Sequence, residues 1–162
     1  MSRLNRVAVV GLGYIGLPTA AVFADHGIDV LGIDINQAAV ESINQGRPHI
    51  SEPELDVLLR KVVQDGKLRA SLASEPADAF ILAVPTPFGP GHVPDTSYIQ
   101  AAAREIAPVL ARGNLVILES TSPIGTTEAL SAWLAEARPD LSFPHQAGEL
   151  SDIRIAHCPE RV

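Results

Sequence analysis

The 162-residue chain is short of several things that would point it toward common roles. It has one cysteine, Cys158, so no disulfide can form within it. Aromatic residues are 4% of the total, a scarcity common in helix-covered parallel sheets. Basic residues are also scarce: 12 Lys and Arg face 19 Asp and Glu, for a net charge of −7. That balance opposes non-specific attraction to nucleic acid or an anionic membrane, and neither is expected as a partner. It leaves small anions open, because backbone amides can bind them locally. No apolar run has the length of a membrane span. Residues 1–6 are polar and the first apolar run is broken by glycines, so no secretory leader is read. A cytoplasmic location is the expectation. His26, His49, His92 and His145 form no metal-ligand pattern, read as surface or loop residues, and leave no metal site to expect.

What is present is Ala, Val, Ile and Leu, within an apolar share of 46%. A chain of this length buries roughly 70% of its unfolded surface, enough for one core without staples. Apolar runs at 7–10, 29–33, 68–72, 79–84, 115–118 and 153–157 read as strands. Between them the pattern predicts helices over 14–26, from Asn36 to Gln45, to about Gln64, to about Leu110, and over 126–137. Gly27, Gly46 and Gly113 stand at helix ends. Asn36 and Asp95 are expected as N-caps, and Ser51-Glu52-Pro53-Glu54 has capping-box spacing. Residues 138–151 read as a loose connection. Strands alternating with helices imply an α/β, Rossmann-type doubly wound fold: a mainly parallel six-stranded sheet with helices on both faces.

The first strand runs into Gly11-Leu12-Gly13-Tyr14-Ile15-Gly16. A Gly-x-Gly-x-x-Gly loop between strand and helix is a pyrophosphate cradle. Gly11 permits the tight turn, Gly13 leaves room for the phosphates, and Gly16 permits close packing of helix on strand. The helix N-terminus presents free amides, those of Tyr14 and Ile15 among them. Packing is the expected role of the Tyr14 and Ile15 side chains. Asp34 ends the second strand, 18 residues beyond Gly16. A carboxylate there accepts from the adenosine ribose hydroxyls and repels a 2′-phosphate, so NAD is favoured over NADP. Capping of the next helix is the alternative for Asp34.

Open α/β sheets bind ligands outside the carboxyl ends of their strands, which directs attention to three more loops. In Val84-Pro85-Thr86-Pro87 two prolines fix the backbone, and Thr86 can reach toward the nicotinamide ribose. In Glu119-Ser120-Thr121-Ser122-Pro123-Ile124-Gly125-Thr126-Thr127 hydroxyls crowd one strand-to-helix turn, more than capping requires. Cys158-Pro159-Glu160-Arg161-Val162 follows the last strand. Cys158 reads as a small apolar residue buried at a strand end rather than a nucleophile, since adjacent His157 points to the opposite face. Glu160 and Arg161 are site candidates.

Together these segments resemble the nucleotide-sugar 6-dehydrogenase family, which includes UDP-glucose dehydrogenase. The resemblance runs from Val7 through Gly16-Leu17-Pro18 to the last residue, and is nearest the UDP-N-acetyl-D-mannosamine dehydrogenase branch. Val84-Pro85-Thr86-Pro87-Phe88, Glu119-Ser120-Thr121-Ser122-Pro123 and the ending Ile155-Ala156-His157-Cys158-Pro159-Glu160-Arg161-Val162 carry that placement. The UDP-glucose branch typically has Lys at Glu119 and an aromatic residue at Arg161. The UDP-N-acetylglucosamine branch is nearer than the UDP-glucose branch and stands as an alternative. The resemblance implies a four-electron oxidation of a sugar CH2OH to a carboxylate with two NAD. It implies NAD contacts at Tyr14, Ile15, Asp34, Thr86 and Thr127. It implies a water or proton relay at Thr121, hydrolytic or acid/base work at Glu160, and substrate contacts at Arg161 and Val162.

The resemblance also implies a nucleophilic cysteine in a Gly-His-Cys-type motif, with an assisting Lys and Asn, all beyond residue 162. The expectation is therefore an NAD-binding domain over 1–162, the N-terminal portion of a longer enzyme with central and C-terminal UDP-sugar domains. The full protein is expected to be a homo-oligomer, and this chain alone inactive. Two rivals stand beside this reading. A beta-hydroxyacid dehydrogenase has a similar glycine loop, but Pro85-Thr86-Pro87 and Pro159-Glu160-Arg161 argue against it. A non-enzymatic NAD-sensing module is the other.

Overall fold

The computed structural model describes residues 4–159. Its sheet has six strands in the order β3-β2-β1-β4-β5-β6. They are β1 (Arg6–Val10), β2 (Asp29–Ile33), β3 (Leu68–Ser71), β4 (Ala79–Leu82), β5 (Leu115–Leu118) and β6 (Arg154–His157). Every pairing is parallel, so the expected mainly parallel sheet is wholly so. Strand order reverses between β1 and β4, which pair with Val7 beside Ala79 and Val10 beside Leu82.

Period-2 alternation divides the core between the two faces. Val7 and Val9 pack with Leu17, Ala20, Ala21 and Ala24 of α1 (Gly16–Asp25), Val40 and Ile43 of α2 (Gln37–Asn44), and Leu55, Leu59 and Val62 of α3 (Leu55–Gln64). Ala8 and Val10 pack with Ile99, Ala102, Ala103 and Ile106 of α4 (Ser97–Ile106), and with Leu130 and Leu134 of α5 (Thr126–Ala137). None of the helices among the described residues is long and apolar enough to cross a membrane.

Asp78 seats the start of β1. Its Oδ2 accepts from the Asn5 and Arg6 amides at 2.8 and 2.9 Å, which holds its carboxyl below the usual aspartate range. Asn36 caps α2, its Oδ1 accepting from the Ala39 amide at 3.2 Å. Asp95 acts on α4 in a similar way, from the position before the formal cap: its Oδ1 accepts from the Ser97 amide at 2.9 Å.

Three expectations fail here. The capping box at Ser51–Glu54 does not form; α3 begins at Leu55, after Glu54 adopts a left-handed φ of 63°. The box needs extended backbone at the cap, and Pro53 with the turn at Glu54 redirects the chain instead. Residues 138–151 are not a loose connection. Leu141 and fully buried Phe143 enter the core, and α6 (Pro144–Ala147) follows them. Asp152 ties this stretch to β6, its Oδ2 accepting from the Ser142 amide at 2.9 Å and hydroxyl at 3.0 Å. Finally, Cys158 is exposed. β6 is the edge strand, with Arg154, Ala156 and His157 also exposed, so a strand end there lies outside the core.

Candidate active site at the carboxyl end of the sheet

The loop after β1 is shaped by what its glycines touch. Gly11 has φ +91°, and its N–H donates to the Ile33 carbonyl at 2.8 Å. A Cβ there would stand 2.6 Å from the Ala83 carbonyl oxygen, so the loop lies directly against the exit of β4. A Cβ on Gly16 would stand 1.8 Å from the Gly11 carbonyl oxygen. The loop and the first turn of α1 are in backbone contact, closer than any side chain allows. Gly13 differs: a Cβ there would meet nothing within 4 Å. Its surface is the open floor of the cleft.

Between the glycines, Leu12 is fully buried and packs over Gly32 of β2, where a Cβ would lie 2.8 Å from the Leu12 side chain. The helix expected from residue 14 starts at Gly16, with Tyr14 and Ile15 in the turn before it. Tyr14 is 62% exposed, so it does not pack as expected; Ile15 is half-buried. No side chain caps α1, and its first turn holds no acidic residue. The positive end of its dipole is uncompensated by the helix itself.

Asp34 stands at the exit of β2, half-buried. Its Oδ2 accepts from the Leu12 amide at 2.9 Å, and its Oδ1 accepts from the Asn36 amide at 2.9 Å. It therefore braces the glycine loop, a contact the motif spacing does not reveal. Helix capping falls to Asn36 instead. A carboxylate offers about four acceptor sites, so two remain for diol hydroxyls. Open space at Gly13, an uncompensated helix end and a carboxylate beside them fit the pyrophosphate and adenosine ribose of NAD.

The loops after β4 and β5 are joined to each other. Thr86 Oγ1 donates to the Thr121 carbonyl at 2.6 Å, so the structure brings these two candidates together. Ser120 is buried, its hydroxyl within 2.7 Å of the Val84 carbonyl and 3.2 Å of the Leu82 carbonyl. Thr126 Oγ1 donates to the Pro123 carbonyl at 2.8 Å. Two of the crowded hydroxyls are thus spent on backbone. Thr127 lies half-buried in the first turn of α5, and Thr121 is exposed. Glu119, in sequence only a marker of the branch, reaches α1: its Oε1 accepts from Thr19 Oγ1 at 3.1 Å. The only trace of this in sequence is a carboxylate at the exit of an apolar strand. Glu160, Arg161 and Val162 lie outside the described residues. Among the described residues, no group of three or more His, Cys, Asp or Glu could hold a metal ion.

Comparison with known proteins agrees with this geometry. Residues 5–162 match the UDP-glucose/GDP-mannose dehydrogenase family, NAD binding domain. An NDP-N-acetyl-D-galactosaminuronic acid dehydrogenase of Ralstonia nicotianae is 67% identical over 96% of this chain and 37% of its own length. A UDP-N-acetyl-D-mannosamine dehydrogenase of Campylobacter jejuni is 63% identical over 100% of this chain and 40% of its own length. The solved UDP-N-acetyl-mannosamine dehydrogenase of Staphylococcus aureus superposes with a TM-score of 0.88 at 40% identity, covering 97% of this chain and 37% of that one. The chain spans well under half the length of these relatives. A glycine floor, a bracing aspartate and a family match from residue 5 to residue 162 agree: the chain belongs to the UDP-glucose/GDP-mannose dehydrogenase family, as its NAD-binding domain.

Proposed function

We propose that residues 1–162 are the N-terminal, cofactor-binding portion of a UDP-N-acetyl-D-mannosamine 6-dehydrogenase. The observation that carries this is the joined pair of loops, Thr86 on Thr121, set beside the glycine floor, in a chain 63% identical to a relative of that name. The reaction is a four-electron oxidation of the sugar C6 alcohol to a carboxylate with two NAD. When bound, NAD supplies the hydride acceptor. Tyr14 and Ile15 offer amides to the pyrophosphate, Asp34 accepts from the adenosine ribose, and Thr86 and Thr127 bound the nicotinamide side. Thr121 holds a water or relays a proton, Glu160 serves the hydrolytic step, and Arg161 and Val162 meet the sugar nucleotide. The nucleophile and the UDP-sugar domains belong to further sequence, and the whole protein is a cytoplasmic homo-oligomer.

One observation favours a second sugar. The relative at 67% identity is named for N-acetyl-D-galactosaminuronic acid, which differs from the mannosamine acid in ring stereochemistry. The deciding experiment offers the full-length protein UDP-N-acetylmannosamine and UDP-N-acetylgalactosamine side by side and counts NADH. About two NADH per UDP-N-acetylmannosamine consumed, with the galacto sugar slower, supports the first reading. The reverse preference transfers the assignment to the galacto sugar, and no NADH from either sugar sinks both. The 162-residue chain alone is expected to bind NAD and to turn over neither.

A further inference from the structure

Thr19 lies in the first turn of α1, its N–H donating to the Ile15 carbonyl at 3.1 Å. Its hydroxyl is spent on Glu119, at the exit of β5, 100 residues away in sequence. The contact passes the intervening strand β4 and joins the helix behind the glycine loop to the far side of the cleft. Glu119 is fixed at its own backbone, where its N–H donates to the Leu82 carbonyl at 2.9 Å. The neighbouring Ser120 N–H reaches the same carbonyl at 3.1 Å, and its hydroxyl reaches Val84. Thr121 follows at once and receives the Thr86 hydroxyl. One hydrogen-bonded path therefore runs from α1 through Glu119 to both loops that bear Thr86 and Thr121.

The cofactor's orientation gives this path a meaning. The adenosine ribose belongs at β2, where Asp34 stands, and the pyrophosphate at the N-terminus of α1. The nicotinamide half must then extend the other way, over the exits of β4 and β5. We propose that Thr19 and Glu119 are a positioning pair for that half. They hold the Thr86 and Thr121 loops in register with the helix that carries the pyrophosphate, without serving the adenosine half. This rests on NAD binding by the domain and not on which sugar is oxidised.

ADP-ribose and NAD, titrated calorimetrically into the 162-residue chain, separate the two halves. Thr19→Val keeps the shape and removes the donor. It is expected to weaken NAD about fivefold, the scale of one hydrogen bond at ~1 kcal/mol, and ADP-ribose less than about twofold. Glu119→Ala should weaken NAD at least as much, again with ADP-ribose spared, and the double variant should be no worse than Glu119→Ala alone. Thr19→Ser and Glu119→Gln keep a donor and an acceptor, and are expected within about twofold of the parent for both ligands. In the cofactor-free protein, Thr19→Val should also speed hydrogen exchange at the Glu119 and Ser120 amides. Equal losses for NAD and ADP-ribose would overturn the proposal, as would undiminished NAD binding, additive losses in the double variant or unchanged exchange. If Glu119→Ala does not fold, the near-isosteric Thr19→Val carries the test alone.

Discussion

The half of the molecule built on β1 to β3 and the half built on β4 to β6 form their sides of the cleft from different materials. On the first side the shape is set by backbone. Gly11 and Gly16 are in contact with carbonyls, Gly13 is bare, and one carboxylate braces the loop. On the second side the shape is set by side-chain hydroxyls that hold carbonyls: Ser120 on Val84, Thr86 on Thr121, Thr126 on Pro123. Backbone surfaces suit the portion of a dinucleotide that never changes during a reaction. Hydroxyl-held loops suit the portion that does, because a hydroxyl can exchange its partner for water or ligand at a net cost of about 1 kcal/mol.

That contrast can be broken by substitution. The largest effect is expected at Gly16→Ala, where the new methyl meets a carbonyl oxygen at 1.8 Å; a loss of about 3 kcal/mol or more of unfolding free energy follows. Gly13→Ala is its control: denaturation should move by less than about 0.5 kcal/mol. Its NAD affinity should nonetheless fall about tenfold or more, ~1.4 kcal/mol. If Gly13→Ala binds NAD normally, the open floor is not a ligand surface.

Asp34→Ala comes next. It removes a charge-assisted hydrogen bond worth about 1.5–3 kcal/mol, so calorimetry should show NAD weakened by about 10- to 100-fold and its preference over NADP lost. Thr86→Val, on the hydroxyl side, should weaken NAD by only about fivefold, ~1 kcal/mol, with the fold intact. An effect on NAD as large as that of Asp34→Ala would erase the distinction between the two sides.

The smallest effect is electrostatic and belongs to the second half. The Ser142 amide and hydroxyl hold the Asp152 carboxyl below its ordinary value of 3.8. A depressed value in the folded state means its stabilisation is complete above the ordinary value and is lost as pH falls through the folded one. Thermal midpoints followed from about pH 5 to about pH 2 should therefore drop less steeply for Asp152→Asn than for the parent chain.

The strands were legible because parallel strands buried on both faces leave continuous apolar runs, as at Val7–Val10 and Ala79–Leu82. The glycine loop was legible because its constraints are local: a turn, a close approach and a helix start. What escaped depends on distance along the chain. Nothing near Asp34 says that it accepts from Leu12, and nothing near Thr19 says that Glu119 lies against it. Phe143 escaped because one aromatic among prolines and polar residues has no period, yet it is fully buried. Cys158 was misplaced because residue type cannot distinguish an edge strand from a central one.

Leu12 adds a rule for anyone who would re-engineer the cofactor. Its side chain is an anchor driven through the phosphate loop into the core, with Gly32 as its socket. The loop cannot be redrawn without reopening that socket, and Gly32 cannot grow unless Leu12 shrinks. Changes of cofactor preference should therefore be attempted at Ile35, which is exposed beside Asp34 and leaves both the anchor and the Asn36 cap in place.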